Sequence, residues 1–569
     1  MIFLILLLLN ATDFRVAMIN IEGNEYFKDG KIKSIILTKT PGIFNRGKFL
    51  DEVFKGDITA IKNLYDYNGF LETQVFYELI FDSTRRSVNI NIRIEEGTQT
   101  SVKETYFSGN KLLTSDFLKN KSVVKLGEPF DKRKIDIDNY IITSIYDDLG
   151  YADVNVKSTY RIENHQAIIS HDIVEGDKQF IKEIELLGLN RTRKDVVMKE
   201  IGLKSLDILR YAKILNAQRN LYNLGVFKSI RTQVINAPEP DRKIVQFMLA
   251  EKEPIMFNFR IGYGTQDYLR LGVGITHLNI LGRAWRGDIE GKVSFAEYRL
   301  NSSLAVPHFL ILPVKTTFGL FYQYKKEIGF NVRNRGGYVT TQLDFLGGKF
   351  STKYEIENIR TYLIDIDSIE DDWLHGLTLN WFRDRRNDPF FSTRGDYINI
   401  ILETSGIVMP SDVNYLRPAF QYRTFRPVTI FVSATSLRMG IAQEISPSTE
   451  VPVYKRFFCG GTSSVRGYAE WSIGPKDEFG NPLGGKILFE FSQELHFPIY
   501  KLLGGAAFLD GGNVWTDDDE VDVHLRWGVG AGLRFRTPLG NIRLDYGMKL
   551  NRQKDESFGI LHFAIGEAF

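Results

Sequence analysis

From Phe257 to Phe569 no apolar run is long enough to cross a bilayer as a helix, yet the chain falls into segments of about ten residues, apolar at every second position. Val523 to Arg536 shows the pattern. Val523, Leu525, Trp527, Val529, Ala531, Leu533 and Phe535 fall on one side; His524, Arg526, Gly528, Gly530, Gly532, Arg534 and Arg536 fall on the other. Side chains of a strand alternate faces with period two, so one face suits lipid and the other a charged, wet interior. Three arginines on the inner face would sit badly in a soluble core. In the watery lumen of an antiparallel transmembrane β-barrel they would cost little. That is the fold this half of the chain predicts.

Sixteen such segments can be counted within residues 254–569, from 256–263 to 558–567, and single-chain bacterial barrels have an even number. The connection between the eleventh and twelfth, at about 442 to 485, is much the longest and is expected on the extracellular side. A slightly negative mean hydropathy excludes a helical membrane protein but not a barrel, because lumen residues dilute the average. An aromatic share of 13% and 49 glycines suit interface girdles and curved strands. A net charge of +2 gives no electrostatic case for nucleic acid. Cys459 is the only cysteine, so no intrachain disulfide can form. At the other end, Ile2 to Leu9 are uninterrupted apolar, followed by Asn10, Ala11 and Thr12. Residues 1–13 therefore read as the remnant of a secretory signal peptide, without the usual positive n-region.

Between these ends the pattern is α+β, and it repeats three times with a period of about 80 residues: 14–97, 98–178 and 179–253. Each unit opens with a short strand ending in Gly23, Gly109 or Gly188, with Asn24 or Asn110 next and Asn190 one residue later. Two helical stretches follow. The second ends in Leu64-Tyr65 to Gly69, Ile145-Tyr146 to Gly150, or Leu221-Tyr222 to Gly225, where Gly accepts the left-handed turn that stops a helix. An aromatic (Phe70, Tyr151 or Phe227) is expected to start an outgoing strand, and a last strand ends near Glu95-Glu96-Gly97, Glu175-Gly176 or Glu251. The order is β-α-α-β-β. Edge strands of such small sheets expose unpaired backbone groups that can accept an extended partner.

The long barrel loop carries the most specific motif, Gly460-Gly461-Thr462-Ser463-Ser464-Val465-Arg466-Gly467-Tyr468. An arginine followed by glycine and an aromatic suits a tight turn tucked into the lumen better than a free loop in water. Three β-α-α-β-β units, sixteen strands and a Val-Arg-Gly-Tyr loop between strands 11 and 12 together resemble the BamA/TamA family of outer-membrane protein insertases. The N-terminal units look like POTRA domains. Arg383-Asp384-Arg385 with Pro389 and Gly395, Phe508-Leu509-Asp510-Gly511-Gly512, and Thr537-Pro538-Leu539-Gly540-Asn541-Ile542-Arg543-Leu544-Asp545-Tyr546 fall in family-like places. The resemblance implies that Arg466, within Val465, Arg466, Gly467 and Tyr468, pairs with the inward Asp510 on strand 13. It also implies three POTRA-like units in the periplasm, a barrel in the bacterial outer membrane, and unfolded outer-membrane proteins and lipid as partners, with accessory lipoproteins or an inner-membrane partner besides. Three units match the TamA-like count; BamA-like chains commonly have five.

The first and last segments carry the remaining expectation. Phe257, Phe259, Ile261 and Tyr263 face outward on one, with Gly262 and Gly264 at its end; Leu561, Phe563 and Ile565 face outward on the other, ahead of Gly566, Glu567 and Phe569. Glycines weaken a strand, so this seam is expected to open sideways and offer backbone groups to an incoming strand beside lipid. The terminal Phe569 resembles the sorting signal of outer-membrane barrels.

No enzyme site emerges. The eight histidines form no His-Glu-x-x-His, no Cys/His cluster has metal spacing, no Gly-x-Ser-x-Gly is present, and Gly460-Gly461 lacks a following Lys-Ser/Thr. The run Asp517-Asp518-Asp519-Glu520 reads as a solvated loop. No catalytic residue, metal or cofactor is expected. The alternatives are the polypeptide translocator of two-partner secretion, which typically has two POTRA units and a plug helix, and a passive porin-like channel.

Overall fold

The computed structural model describes residues 14–42, 47–264, 268–309, 314–364, 368–389, 391–517, 521, 524–537, 540–554 and 556–565. The signal-like segment, Asp518-Asp519-Glu520, Pro538-Leu539 and the terminal Gly566 to Phe569 lie outside them.

Residues 14–253 form three three-stranded sheets of identical topology. In each, the last strand is central: the first strand pairs with it in parallel and the second antiparallel, as with Arg15–Glu22, Ser87–Glu95 and Gln74–Asp82. The parallel pairing slips at the same place in all three, at Val16/Met18, Val102/Glu104 and Ile181/Glu183. The repeated Gly has a steric reason. Gly23, Gly109 and Gly188 all have positive φ, and a Cβ on them would lie 2.1, 2.0 and 2.2 Å from the carbonyl oxygens of Ile94, Ile173 and Leu249. Only glycine lets the first strand turn so close to the last.

The acid that ends each last strand fixes the same turn. Glu96, Glu175 and Glu251 accept from the backbone N–H of Tyr26, Leu112 and Thr192 at 2.9, 2.8 and 2.8 Å. In the first two units the carboxylate also accepts from the tyrosine closing the second helix, Tyr65 or Tyr146. Those helices, Asp51–Asp66 and Lys132–Leu149, bury one face each: Phe54, Asp57, Ile61 and Tyr65, and Ile135, Asp138, Ile142 and Tyr146. The buried Asp57 accepts from the N–H of Leu37 and Thr38 at 2.6 and 2.8 Å, and Asp138 from that of Val123 at 2.6 Å, tying each second helix to the end of the first.

One expectation shifts. Phe227 starts a strand, but Phe70 and Tyr151 do not; the outgoing strands begin at Gln74 and Asn155. Phe70 joins the core beside Tyr65, and Tyr151 packs against the cluster of Ile142 and Tyr146. Burial, not strand pairing, is what those aromatics are for.

From Ile255 the chain forms an antiparallel closed barrel of sixteen strands, from Ile255–Gly264 to Gly559–Ile565, with the two-residue piece Gln443–Glu444 added beside the tenth. Among the described residues no helix is long and apolar enough to cross a membrane; the barrel crosses with strands. Phe257, Phe259, Ile261, Val273, Ile289, Leu300 and Leu320 stand exposed on the outer face. The long connection lies between the eleventh strand, Phe431–Ile441, and the twelfth, Ile487–Tyr500.

One part of the bore is filled by the long loop, while charged inward residues of the first to seventh strands line a cavity of about 990 Å³ elsewhere in it. Val451, Phe457, Cys459, Val465, Tyr468 and Ile473 of the long loop form one buried apolar cluster with wall residues Phe330, Ile359, Leu374, Tyr415, Leu488 and Val514. The loop fills this part of the barrel. Charged groups beside it are desolvated and need partners.

Candidate functional site

The candidate site has two parts, the loop motif and the seam. Arg466 is 2% exposed and Asp510, on the thirteenth strand (Leu503–Trp515), 0%. The guanidinium grips the carboxylate with two bonds, Nε to Oδ2 at 2.7 Å and Nη2 to Oδ1 at 2.8 Å, and the Arg466 backbone N–H adds a third at 3.1 Å. This fork geometry is the strongest form of the pair. The Phe508 ring lies 3.5 Å beneath the guanidinium.

Further partners come from other strands. Nη2 is 2.7 Å from Glu494 on the twelfth strand, and Nη1 is 3.7 Å from Asp545 on the fifteenth, Gly540–Lys549. Arg534 on the fourteenth, Arg526–Thr537, pairs with Asp545, and Arg543 lies 3.8 Å from it. Three guanidiniums thus face three carboxylates, and the cluster balances its own charge inside the bore.

The motif's other residues are held with it. Val465 is in the apolar cluster. Tyr468 donates its hydroxyl to Asn551 at 3.0 Å. Gly467 has φ of 99°. Room for this turn is made by glycines on the strands it crosses. A Cβ on Gly528 would lie 1.9 Å from the Arg466 carbonyl oxygen, and one on Gly547 would lie 2.4 Å from the Gly467 nitrogen. The inward run Gly528, Gly530 and Gly532 is visible in the sequence, but its purpose appears only when the loop is seated on it. Ahead of the motif, Thr462 Oγ1 lies 3.0 Å from His562 Nδ1 on the last strand, so the loop also touches the seam strand.

Every residue from Ile255 to Gly264 pairs with the second strand, and Gly559 to Ile565 pair with the fifteenth. Between first and last strands, among the described residues, one pair is made: Gly264 with Ala564. Tyr263 and Phe563 meet there, their rings 5.8 Å apart. Phe257, Phe259, Ile261 and Leu561 are 57% to 78% exposed on the outer face. The Ile565 side chain and Phe569 lie outside the described residues.

Sequence reasoning named Arg466 and Asp510 and quoted Asp545 and Thr462 within motifs, but it missed Glu494, His562 and Gly547 and the contacts that Asp545 and Thr462 make. Their inward parity was readable; their common height in the barrel was not, because that depends on strand register. Among the described residues no His/Cys/Asp/Glu group is arranged to hold a metal.

Comparison with known proteins gives two matching family models. The Omp85 superfamily domain matches residues 279–569, and the POTRA model, described as a surface antigen variable number repeat, matches 14–97, 100–176 and 179–252. The outer membrane protein assembly factor BamA of Nitratidesulfovibrio vulgaris is 22% identical over 97% of this chain and 73% of its own length. BamA of Neisseria meningitidis serogroup B is 22% identical over 98% and 78%. The sorting and assembly machinery component 50 homolog A of Xenopus laevis is 24% identical over 65% and 86%. The crystal structure of Haemophilus ducreyi BamA lacking POTRA domains 1–3 shares the fold, with a TM-score of 0.70 at 19% identity over 82% of this chain and 99% of that one.

Proposed function

The chain belongs to the Omp85 superfamily, and we propose that it inserts client β-strands into the outer membrane through the seam between its first and last strands. It is a homologue of outer-membrane protein assembly factors, with its barrel in the outer membrane and its three POTRA units in the periplasm. The observation that carries the finer reading is the seam itself. A barrel in lipid must satisfy its backbone groups internally, and each unpaired group costs several kcal/mol. A junction that, among the described residues, is made by the single pair Gly264–Ala564 is the cheapest place to part the wall. An incoming strand can pair with the freed edge while its outer side chains meet lipid, which is β-augmentation beside a membrane.

The other parts serve that step. The Arg466 cluster ties the loop to the twelfth, thirteenth and fifteenth strands, and so holds the wall leading to the seam. The free edges of the periplasmic sheets offer a first landing. The edge strand Gln74–Asp82 carries Phe76, Tyr77, Ile80 and Phe81, all exposed, beside open backbone. Free energy comes from strand pairing and lipid burial of the client; the reading calls for no nucleotide, cofactor or catalytic group. Clients are unfolded outer-membrane proteins, and accessory lipoproteins or an inner-membrane partner would deliver them.

Depletion of the protein in its source cell, with a census of outer-membrane barrels, tests the reading. Loss across many barrels is expected. Loss of a few clients would indicate the narrower TamA-like role that a three-unit arm suggests. Loss of one secreted exoprotein, with barrels intact, would replace insertion with translocation.

A further inference from the structure

The edge strand of the seam has an inner face as well as an outer one, and that inner face is charged. On the first strand, Ile255–Gly264, the positions alternating with the outward Phe257, Phe259 and Ile261 are Asn258, Arg260 and Gly262. Arg260 faces Gly272 on the second strand, Tyr268–Ile280, and reaches past it to Glu290 on the third, Trp285–Ser294, at 2.8 Å. Arg270 of the second strand faces Gly262 and leans the other way. Its Nε and Nη2 lie 3.4 Å from where a Cβ on Gly262 would stand, so a second guanidinium lies over the edge strand itself. The Arg260 side chain is 62% exposed, within reach of an incoming group.

Both arginines line the cavity of about 990 Å³, together with Lys292 and Arg299 of the third and fourth strands. Among the described residues of the first four strands that line it, these four cations share the wall with one carboxylate, Glu290. Glu297, 4% exposed, stands behind them and pairs with Lys292 and, at 2.8 Å, with Arg299. The wall beside the seam is therefore positive. The last strand does nothing to balance it: Gly559–Ile565 contains no acidic residue, and His562 and Ala564 are on its inward side, opposite Asp545 and Arg543.

We propose that the inner face of the edge strand selects clients by charge, with Arg260 and Arg270 favouring strands whose lumen-facing side chains are carboxylates. The inference rests on the insertion reading and names the chemistry of the strand that reading would favour. A strand pairing with the free edge of Ile255–Gly264 places its inward side chains beside Asn258, Arg260 and Gly262, at the cross-strand spacing where opposite charges attract and like charges repel. The last strand gives that edge no such pair. Exchanging it for an acidic strand is a gain, and for a basic strand a loss.

Competition measures the preference. The full-length protein assembles one client barrel in proteoliposomes, followed by heat-modifiability, against three competitor peptides of about ten residues, the length of a membrane strand. The peptides share Val and Phe on one face and carry Glu, Gln or Lys at every position of the other. The Glu peptide should inhibit at a concentration on the order of fivefold lower than the Gln peptide, and the Lys peptide should be the weakest. Raising the salt to about 1 M, where the Debye length is about 3 Å, should bring the three together. So should Arg260→Gln with Arg270→Gln, its own folding checked by heat-modifiability. Each comparison is a ratio within one protein, so a change in the variant's overall activity does not enter it. No difference among the peptides in the parent overturns the proposal and leaves insertion standing. An acid preference that survives the salt or the double variant also overturns it. If the parent assembles its client with Gly264→Cys and Ala564→Cys oxidised to a cross-link, insertion through the seam falls, and this inference falls with it.

Discussion

The sixth and seventh strands pair residue by residue, Phe330 to Phe345 against Gly348 to Leu363, whereas the first and last strands of the same barrel share, among the described residues, one pair, Gly264 with Ala564. Both regions face the same hydrocarbon, where an unpaired peptide group costs several kcal/mol. Under the proposed reading, this difference is what lets the wall part at the seam and nowhere else. A cross-link is the most direct way to break the comparison. Gly264→Cys with Ala564→Cys, in a Cys459→Ala background, should abolish client assembly when oxidised and recover it on reduction. Thr341→Cys with Thr352→Cys, a facing pair on the sixth and seventh strands, should change nothing. Full assembly with the seam covalently shut would end the lateral-insertion reading.

The next largest effect should come from the loop. Arg466→Ala leaves Asp510, Glu494 and Asp545 buried without their shared cation, and breaking such a cluster costs about 3–5 kcal/mol. Asp510→Ala should cost a similar amount, and the double variant less than the sum, because the two act as one unit. Thermal unfolding followed by heat-modifiability, with client assembly in parallel, measures both. Additive losses would show that the pair is not coupled. The glycines beneath the loop sharpen the contrast at a smaller scale. Gly547→Ala places a Cβ 2.4 Å from the Gly467 nitrogen and should cost roughly 1–3 kcal/mol by overpacking. Gly291→Ala, whose nearest neighbour would be a carbonyl oxygen at 3.9 Å, should be neutral in the same assay.

What the sequence made legible follows from what period and spacing can encode. Alternation marked sixteen strands and the inward parity of Asp510, Gly528 and Arg534, because parity is a property of one strand. The arginine at 466 stood out because an arginine followed by glycine and an aromatic suits a tight turn and because the stretch resembles the family's loop motif. Glu494, His562 and Gly547 did not stand out. Their meaning depends on register between strands and on the path of a 40-residue-scale loop through the bore, which no local pattern fixes. The apolar filling beside the motif was hidden for the same reason: Phe457 reads as an ordinary loop apolar until it meets the wall cluster of Phe330 and Val514. In the periplasmic units, Glu96 and Glu175 were visible as strand ends, but their grip on Tyr26 and Leu112 follows from a parallel pairing of strands about 70 residues apart in sequence.

The smallest prediction asks whether the seam is special or whether any change in stability alters assembly. Asp147, near the end of the Lys132–Leu149 helix, is partly buried, and that burial pushes its carboxyl up to about 6. A folded-state value above the unfolded one means that the ionised form is the disfavoured one. The penalty is full at pH 7 and fades as pH falls through about 6 toward 4. Asp147→Asn should therefore stabilise the second unit at pH 7 by about 1 kcal/mol after allowance for solvent screening, with the gain shrinking by pH 5. His171, whose proton affinity burial lowers in the same unit, acts in the opposite sense, since the unfolded chain gains its proton more readily as pH falls. It is common to parent and variant and cancels from the difference. Hydrogen exchange of residues 132–163 in the full-length protein, read at pH 5 and pH 7, measures the term. Client assembly should stay at the parental level while this region gains protection. A matching change in assembly would mean that stability of the arm limits the reaction as much as the single pair at Gly264 and Ala564.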